Sequence, residues 1–440
     1  MNLFAIAKII FPYSFIGVIF MVLHTSLVSC RQQVNAYPAS DADFTLIDSL
    51  IRHKDFFAAR DLFQEKQSLL SEYQTLRAGA ALDNAFNRLE ASNEKIDALF
   101  SNHENMLSDS AKLFLLDLHQ SNSVKLFQYQ AAQAAIDSIL KNFGHLLAEK
   151  ELKGFENTRI IWAALAGKPR QEVHVMEDTR IQMSRDIAGL TNLPVSNGKD
   201  SLGFIFDTGA NLSTVTAATA QRLDMDQIDI DFEVTSITGE KVPAKLAVSK
   251  DLYIRGIHLQ HVVFIVFPDE PLFIPQFPYQ INGIIGFPVI AALGEVHISK
   301  SDEFFVPVEP GTSDFQNLAL DYLTPVIELD GEPYTFDTGA DETMLYAPYY
   351  RKYREQIDGK YQLADLTFGG AGGSITQKGY YVPFERQLFD TTVRLDSLML
   401  FEENIRSSVD DYYGNIGQDL IGKFDRMILN FNKMFIHFEK

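Results

Sequence analysis

The feature that most constrains this 440-residue chain is an internal duplication. Gly203-Phe204-Ile205-Phe206-Asp207-Thr208-Gly209-Ala210 recurs as Pro333-Tyr334-Thr335-Phe336-Asp337-Thr338-Gly339-Ala340, a constant offset of 130 that carries Asp207 onto Asp337. Average composition gives one Asp-Thr-Gly-Ala match in a chain of this length with a chance of about 1%, so two copies behind apolar runs are not coincidence. A lone copy would read as an Asx-type turn at a strand end. The duplication and its downstream landmarks displace that reading. Ile284-Ile285-Gly286 follows Asp207, and Asn415-Ile416-Gly417 follows Asp337 at a distance that differs by a single position. Beyond the glycines Ile290 matches Ile421, Leu293 matches Phe424, Val296 matches Met427 and Ile298 matches Leu429, all at an offset of 131. Two equivalent lobes follow.

Between the landmarks each copy carries a turn-rich segment, Ile237-Thr238-Gly239-Glu240 and Phe368-Gly369-Gly370-Ala371-Gly372-Gly373, with Gly239 and Gly369 at the same spacing from their aspartates. Gly239, Gly369 and Gly370 are candidate hairpin tips, placed to fold down as flaps. A phosphate loop is the competing reading of the glycine run, but no helix signal follows it. From Gly167-Lys168-Pro169-Arg170 onward, short β-branched and aromatic runs alternate with Gly, Pro and Asn turns.

Paired Asp-Thr-Gly-Ala loops, each followed by an apolar-apolar-Gly run, resemble the retropepsin-like aspartic proteases. The resemblance spans about 172 to 440. It implies that Asp207 and Asp337 form a catalytic dyad with Thr208, Gly209, Thr338 and Gly339 supporting the dyad loops, and that Gly286 and Gly417 are structural supports beneath them. Lobes of this size without cysteine look like two retroviral-type protomers fused in one chain. The chain departs from a strict repeat where Phe287-Pro288 follows one glycine and Gln418-Asp419 the other, and in a longer hairpin before Asp207. No tyrosine stands at the tip of the first flap. Two carboxylates about 3 Å apart cannot both ionise, so the pair supplies an acid and a base together; which aspartate is the base stays open. Ala210 and Ala340 stand where pepsins usually carry a hydroxyl that favours the ionised carboxylate. A dyad with raised apparent pKa values is expected.

Other chemistries find little footing. One cysteine, Cys30, cannot form an internal disulfide or build a Cys-rich zinc or iron–sulfur site. The ten histidines include no His-Glu-x-x-His, and neither a Gly-x-Ser-x-Gly elbow nor a P-loop is present. No cofactor and no metal is expected. A net charge of −20 argues against a nucleic-acid partner.

The amino terminus reads as an export address. A short charged start ending at Lys8 precedes an apolar run from Ile9 to Leu23. Leu27-Val28-Ser29-Cys30 resembles a bacterial lipobox, which makes residues 1–29 a lipoprotein signal peptide and Cys30 the lipidation site. Cleavage near Val34-Asn35-Ala36 and an uncleaved membrane anchor over Ile9 to Ser29 are the alternatives. Each places the bulk of the chain outside the cytoplasm, in the cell envelope; Arg31 after the cysteine weakly favours the outer membrane if the source is Gram-negative.

Residues 41–167, after a linker over 30–40, show apolar positions three and four apart, the helical period. Phe56 to Phe63 and Tyr129 to Ile136 both place an aromatic three before an alanine and a large apolar residue four later. This resembles the second helix of a tetratricopeptide-type repeat. The copy expected between them, around Glu94 to Phe100, lacks the pattern, and a plain bundle remains an equal reading. The chain is thus expected to be multidomain: an all-α domain, tetratricopeptide-like or a plain bundle, then a mostly-β bilobal protease with lobes at 172–306 and 314–440. The expected function is an aspartic endopeptidase acting on a peptide or protein as a monomeric catalytic unit, with the helical domain free to hold a protein partner. The alternative is a non-catalytic peptide-binding or scaffold lipoprotein.

Overall fold

The computed structural model describes residues 38–440 apart from 188, 236–240, 275–277, 371–372, 389–390 and 406–408. The signal segment, Cys30 and Gly239 lie outside the described residues. Among those described, no helix is long and apolar enough to cross a membrane.

Among the described residues, seven α-helices precede the strands: α1 Pro38–Arg52, α2 Phe56–Lys66, α3 Glu72–Ala85, α4 Leu89–Asn102, α5 Asp109–Lys125, α6 Tyr129–Phe143 and α7 Glu149–Leu165. Helix therefore begins at Pro38, inside the segment expected to be linker, and Ser40 is already buried. The first six helices form three hairpins with one shared turn. Lys54, Asn87 and Phe127 each adopt positive φ, at 62°, 58° and 57°. The amide after each returns to the carbonyl five residues back: Asp55 to Leu50 at 3.0 Å, Arg88 to Asp83 at 2.7 Å and Gln128 to Ser123 at 2.8 Å. That bond closes each first helix in the manner of a Schellman turn and reverses the chain.

The second helices of the hairpins start at Phe56, Leu89 and Tyr129. The middle copy of the sequence pattern is therefore Leu89-Ser92-Ile96, aligned with Phe56-Ala59-Phe63 and Tyr129-Ala132-Ile136. Ala59, Ser92 and Ala132 are all fully buried, as a small residue must be where two helices approach. Serine is tolerated there because its hydroxyl donates to the Ala80 carbonyl at 2.7 Å. The copy expected around Glu94 to Phe100 is out of register, and leucine and serine in place of aromatic and alanine conceal the true one.

The remainder is mostly β. The first lobe's main sheet contains, in spatial order, Thr191–Ser196, Ser201–Phe206, Gly283–Ile285, Ser213–Thr216, Val263–Phe267, Lys241–Val248 and Asp226–Thr235. The second lobe repeats that order with Thr324–Leu329, Glu332–Phe336, Gly414–Ile416, Met344–Leu345, Thr391–Phe401, Gly373–Leu388 and Ala364–Gly370. A five-stranded sheet joins the lobes through Glu295–Ser299 and Arg426–Asn430, which pair antiparallel. Val296 faces Leu429 and Ile298 faces Met427, so each residue meets the equivalent of its neighbour but one. This is the register of a pseudo-two-fold axis at the His297–Ile428 pair. Glu295, paired with Asn430, is buried and accepts from the Asn430 Nδ2 at 2.7 Å and the Gly311 amide at 2.9 Å.

The helical domain touches both lobes. On the second lobe, Lys54 pairs with Asp321 at 2.6 Å, and Ile51, Phe57 and Ala78 share an apolar cluster with Ala319 and Val326. On the first, Asn157 of α7 donates to the Glu233 carbonyl at 3.1 Å and accepts the Glu233 amide at 3.3 Å. Glu233 belongs to the outermost strand of its sheet, whose free backbone groups the amide side chain satisfies as another strand would.

Candidate active site

Asp207 and Asp337 each follow the last residue of a buried strand. Phe204, Ile205 and Phe206 are at most 1% exposed, and Tyr334 and Phe336 are fully buried. Apolar side chains on both faces of a central strand pin it in place. Each strand runs parallel to the segment that ends at the landmark glycine, and the Asp207 and Asp337 amides donate to the Ile285 and Ile416 carbonyls at 3.1 and 3.0 Å. The two loops therefore hang from equivalent supports.

Across the lobe boundary the threonines interlock. The Thr208 amide donates to the Thr338 Oγ1 at 3.1 Å, and the Thr338 amide to the Thr208 Oγ1 at 3.0 Å. Each hydroxyl in turn donates to the carbonyl preceding the opposite aspartate, Thr208 to Phe336 at 3.2 Å and Thr338 to Phe206 at 3.0 Å. All four partners are buried, so these bonds have no competing water.

Gly209 and Gly339 sit against the opposite carboxyl groups. A Cβ on Gly209 would collide with the Asp337 carboxyl, and one on Gly339 with that of Asp207. Glycine is required here because the opposing carboxylate occupies the space a side chain would fill. Gly286 and Gly417 lie directly beneath the loops. A Cβ at Gly286 would stand 2.6 Å from the Leu212 carbonyl carbon, and one at Gly417 2.6 Å from that of Glu342. Their amides donate to Ser213 Oγ and Thr343 Oγ1, both at 3.1 Å. Ser213 and Thr343 complete the support. Sequence reasoning missed them, although their spacing repeats that of the aspartates.

The loops are not electrostatically identical. Asp207 Oδ1 accepts the Gly209 and Ala210 amides at 2.8 and 3.1 Å, while Asp337 Oδ1 accepts the Gly339 amide at 2.9 Å. Asp207 Oδ2 is buried. Burial and then the Asp337 charge push the Asp207 carboxyl well above the ordinary carboxylate range, against the opposing pull of the two amides. Ala210 and Ala340 offer no hydroxyl to offset this. Asymmetry grows beyond the loops: where the first lobe has Asn211 and Leu212, the second has Asp341 and Glu342. Burial and then Glu342 push Asp341 up to about 8. Gln418 donates to the Thr338 carbonyl at 2.8 Å, and Asp419 accepts the Thr343 amide and hydroxyl at 2.8 and 2.6 Å.

The strand pairs that flank the flap candidates occupy equivalent places in the two sheets. In the first lobe, Asp226–Thr235 and Lys241–Val248 form a hairpin whose innermost described pair is Thr235–Lys241. In the second, Ala364–Gly370 pairs with Gly373–Leu388, Gly369 facing Ser374 and Gly370 facing Gly373. The described residues of the glycine run, Gly369, Gly370 and Gly373, therefore lie in paired strands and open no helix.

Residues 193–289 match the family model described as aspartyl protease. The stretch includes the Asp207 loop, the first flap hairpin and Gly286, and the match supports a protease function. Such a domain implies a peptide or protein substrate. No curated protein matches the chain.

Proposed function

We propose that this chain is an aspartic endopeptidase in which Asp207 and Asp337 activate one water between two lobes of a single polypeptide. The observation that carries the reading is the reciprocal Thr208–Thr338 interlock, which brings two buried Asp-Thr-Gly loops together so that each carboxyl rests on the opposite glycine.

The chemistry follows from a buried pair that shares one proton. The ionised carboxylate takes a proton from water as the oxygen attacks the scissile carbonyl carbon, while the protonated partner donates to the carbonyl oxygen. A tetrahedral diol results. Proton transfer to the amide nitrogen then lets the C–N bond break, releasing a carboxylic acid and an amine and restoring the shared proton. Burial and the facing charge keep one proton on the pair, which titrates as a unit. Both aspartates are nearly inaccessible, Asp207 fully and Asp337 at 2% exposed, so substrate entry requires movement above the loops. The two hairpins are the elements suited to it.

The remaining assignments belong to the same reading: a signal peptide over 1–29, lipid attachment at Cys30, export to the cell envelope and protease lobes at 172–306 and 314–440. Metabolic labelling with an alkyne fatty acid should mark the parent and not Cys30→Ser; label retained on the variant would remove the anchor assignment. The test of function is digestion of a mixed peptide library by the form beginning at Arg31, beside Asp207→Asn. Cleavage that survives the substitution would refute the dyad.

A further inference from the structure

The pseudo-two-fold gives the site two equivalent ends, and the helical domain bridges only one of them. At the bridged end, contacts run from the floor of the site to its roof. Asn211, the second residue after Gly209, accepts the Thr324 hydroxyl of the second lobe at 3.5 Å. The helical domain holds the turn just before Thr324: Lys54 pairs with Asp321 at 2.6 Å, and Gln120 donates to the Tyr322 hydroxyl at 3.4 Å. Helices α1, α3, α5 and α7 line one side of a cavity of about 170 Å³, and Leu320, Asp321 and Tyr322 close the other. Glu151 and Phe155 are the α7 residues in that wall. Asn157, on the next turn of the same helix, binds both backbone groups of Glu233 in the outer strand of the first hairpin.

Helix α7 therefore stands between the turn of the second lobe and the hairpin of the first. From Glu151 to Asn157 it rises about 9 Å at 1.5 Å per residue, and with its side chains it is about 10–12 Å thick. An extended peptide lying between two layers of structure needs about 10 Å, the spacing of stacked sheets. A helix of that thickness leaves no passage for a polypeptide at this end.

The other end has the same parts without the bridge. Asp341 stands where Asn211 does, the turn between Ser184–Arg185 and Thr191–Ser196 replaces that between Leu318–Asp321 and Thr324–Leu329, and Ala364–Gly370 replaces Asp226–Thr235. Among the described residues, no hydrogen bond or ion pair joins the helical domain to 364–370. The Thr367 and Thr376 hydroxyls bond each other and Asp365 pairs with Lys378, both within the second hairpin. Ile187 in the turn and Leu363 just before the strand are 60% and 51% exposed.

From this asymmetry the geometry points to a substrate class: a polypeptide cut a few residues from one of its termini, with that terminus stopped against α7 and the rest of the chain leaving past Asp341 and 364–370. The inference rests on the protease reading and names what that site accepts. The best-cleaved peptide of the mixed library is resynthesised with a Gly-Ser tail of about 12 residues, roughly 40 Å when extended, on its amino side, its carboxyl side or both. Cleavage is measured with the form beginning at Arg31. The expected result is a kcat/KM lowered about tenfold or more by a tail on one side, little changed by a tail on the other, and as low with both tails as with the unfavourable one. Equal tolerance of tails on the two sides would overturn the inference and leave the protease reading standing. Cleavage of no library peptide by the parent would overturn the protease reading, and this inference with it. A benzophenone placed on the sensitive terminus of the untailed peptide locates the block on the Asp207→Asn chain. Photolysis should label 149–165; label on other segments with 149–165 unmarked would overturn the assignment to α7.

Discussion

Thr208 and Thr338 accept each other's amide hydrogens at 3.0 and 3.1 Å while their own hydroxyls hold the carbonyls of Phe336 and Phe206. Neither aspartate loop can shift without breaking a bond to the other lobe. The arrangement is a buried network whose members are mutually dependent, so deletions should not add. Thr208→Val and Thr338→Val should each destabilise the chain by about 1–3 kcal/mol, the scale of leaving a buried donor or acceptor unsatisfied. The double variant should fall short of the sum by about 0.5 kcal/mol or more. Urea unfolding of the four proteins checks this, and strict additivity would show that the threonines act independently.

On the proposed reading, the acid–base state of the Asp207–Asp337 pair sets the pH response. Burial and the neighbouring Asp337 raise the Asp207 carboxyl, and neither Ala210 nor Ala340 supplies a hydroxyl to counter this. The rate profile with a peptide substrate should therefore peak at less acidic pH than a pepsin-like pH of about 2–3. A maximum in that acidic range would contradict the assignment.

The same burial makes a statement about stability. A carboxyl whose folded pKa is raised favours folding most below its unfolded value, and that advantage is lost as pH rises toward the folded pKa. Asp341, pushed up to about 8 chiefly by burial and then by Glu342, should impose such a loss between about pH 4 and 8. Asp341→Asn should flatten the decline in unfolding free energy across that window. An unchanged slope would mean that the carboxyl is solvated in the working protein.

Glu332 works in the opposite sense. Burial would raise it, but Lys352, Tyr353, Tyr334 and Arg386 surround it at 2.8, 2.5, 2.7 and 3.0 Å and hold it below the ordinary carboxylate range. Its contribution is present above the unfolded pKa and lost as pH falls through the folded one. Glu332→Ala also takes from the half-buried Arg386 guanidinium its nearer carboxylate, leaving it Asp330 at 3.5 Å and the Tyr353 hydroxyl at 3.3 Å. A loss of about 3–5 kcal/mol is expected at neutral pH by denaturant unfolding. A loss under about 1 kcal/mol would place the pair among the weak surface contacts instead.

Asn157 ties the helical domain to the first flap hairpin through both backbone groups of Glu233. Asn157→Ala should raise amide hydrogen exchange along 226–235 while leaving exchange at 364–370 unchanged. Equal protection in parent and variant would show that the edge strand needs no clamp.

Much of this architecture is legible in the residues. The Asp-Thr-Gly-Ala copies locate the site because each residue in them answers a local demand: glycine for the facing carboxylate, threonine for the interlock. The offset of 131 from Val296 to Ile298 becomes a strand pairing across the pseudo-two-fold, since equivalent apolar residues must meet at the axis. Less visible are features with no periodic signature. Ser92 hides the middle helical hairpin because its hydroxyl is satisfied by a carbonyl that only the folded chain brings near. Ser213 and Thr343 serve the loops through single hydrogen bonds that many residue types could make elsewhere. The start of helix at Pro38 looks like linker in sequence because proline suits a first helical turn as well as a break. The cavity between α5 and Leu320–Tyr322 joins segments far apart along the chain and has no sequence signal.

The central claim is that one chain supplies both halves of the dyad. Asp207→Asn and Asp337→Asn variants are assayed on the peptide library separately and mixed in equal amounts, with the parent sized under the same conditions. The account predicts cleavage by a monomeric parent, none by either variant, and none by the mixture. Activity regained on mixing would show that lobes pair between chains, and activity in either single variant would show that the aspartates are not the catalytic pair.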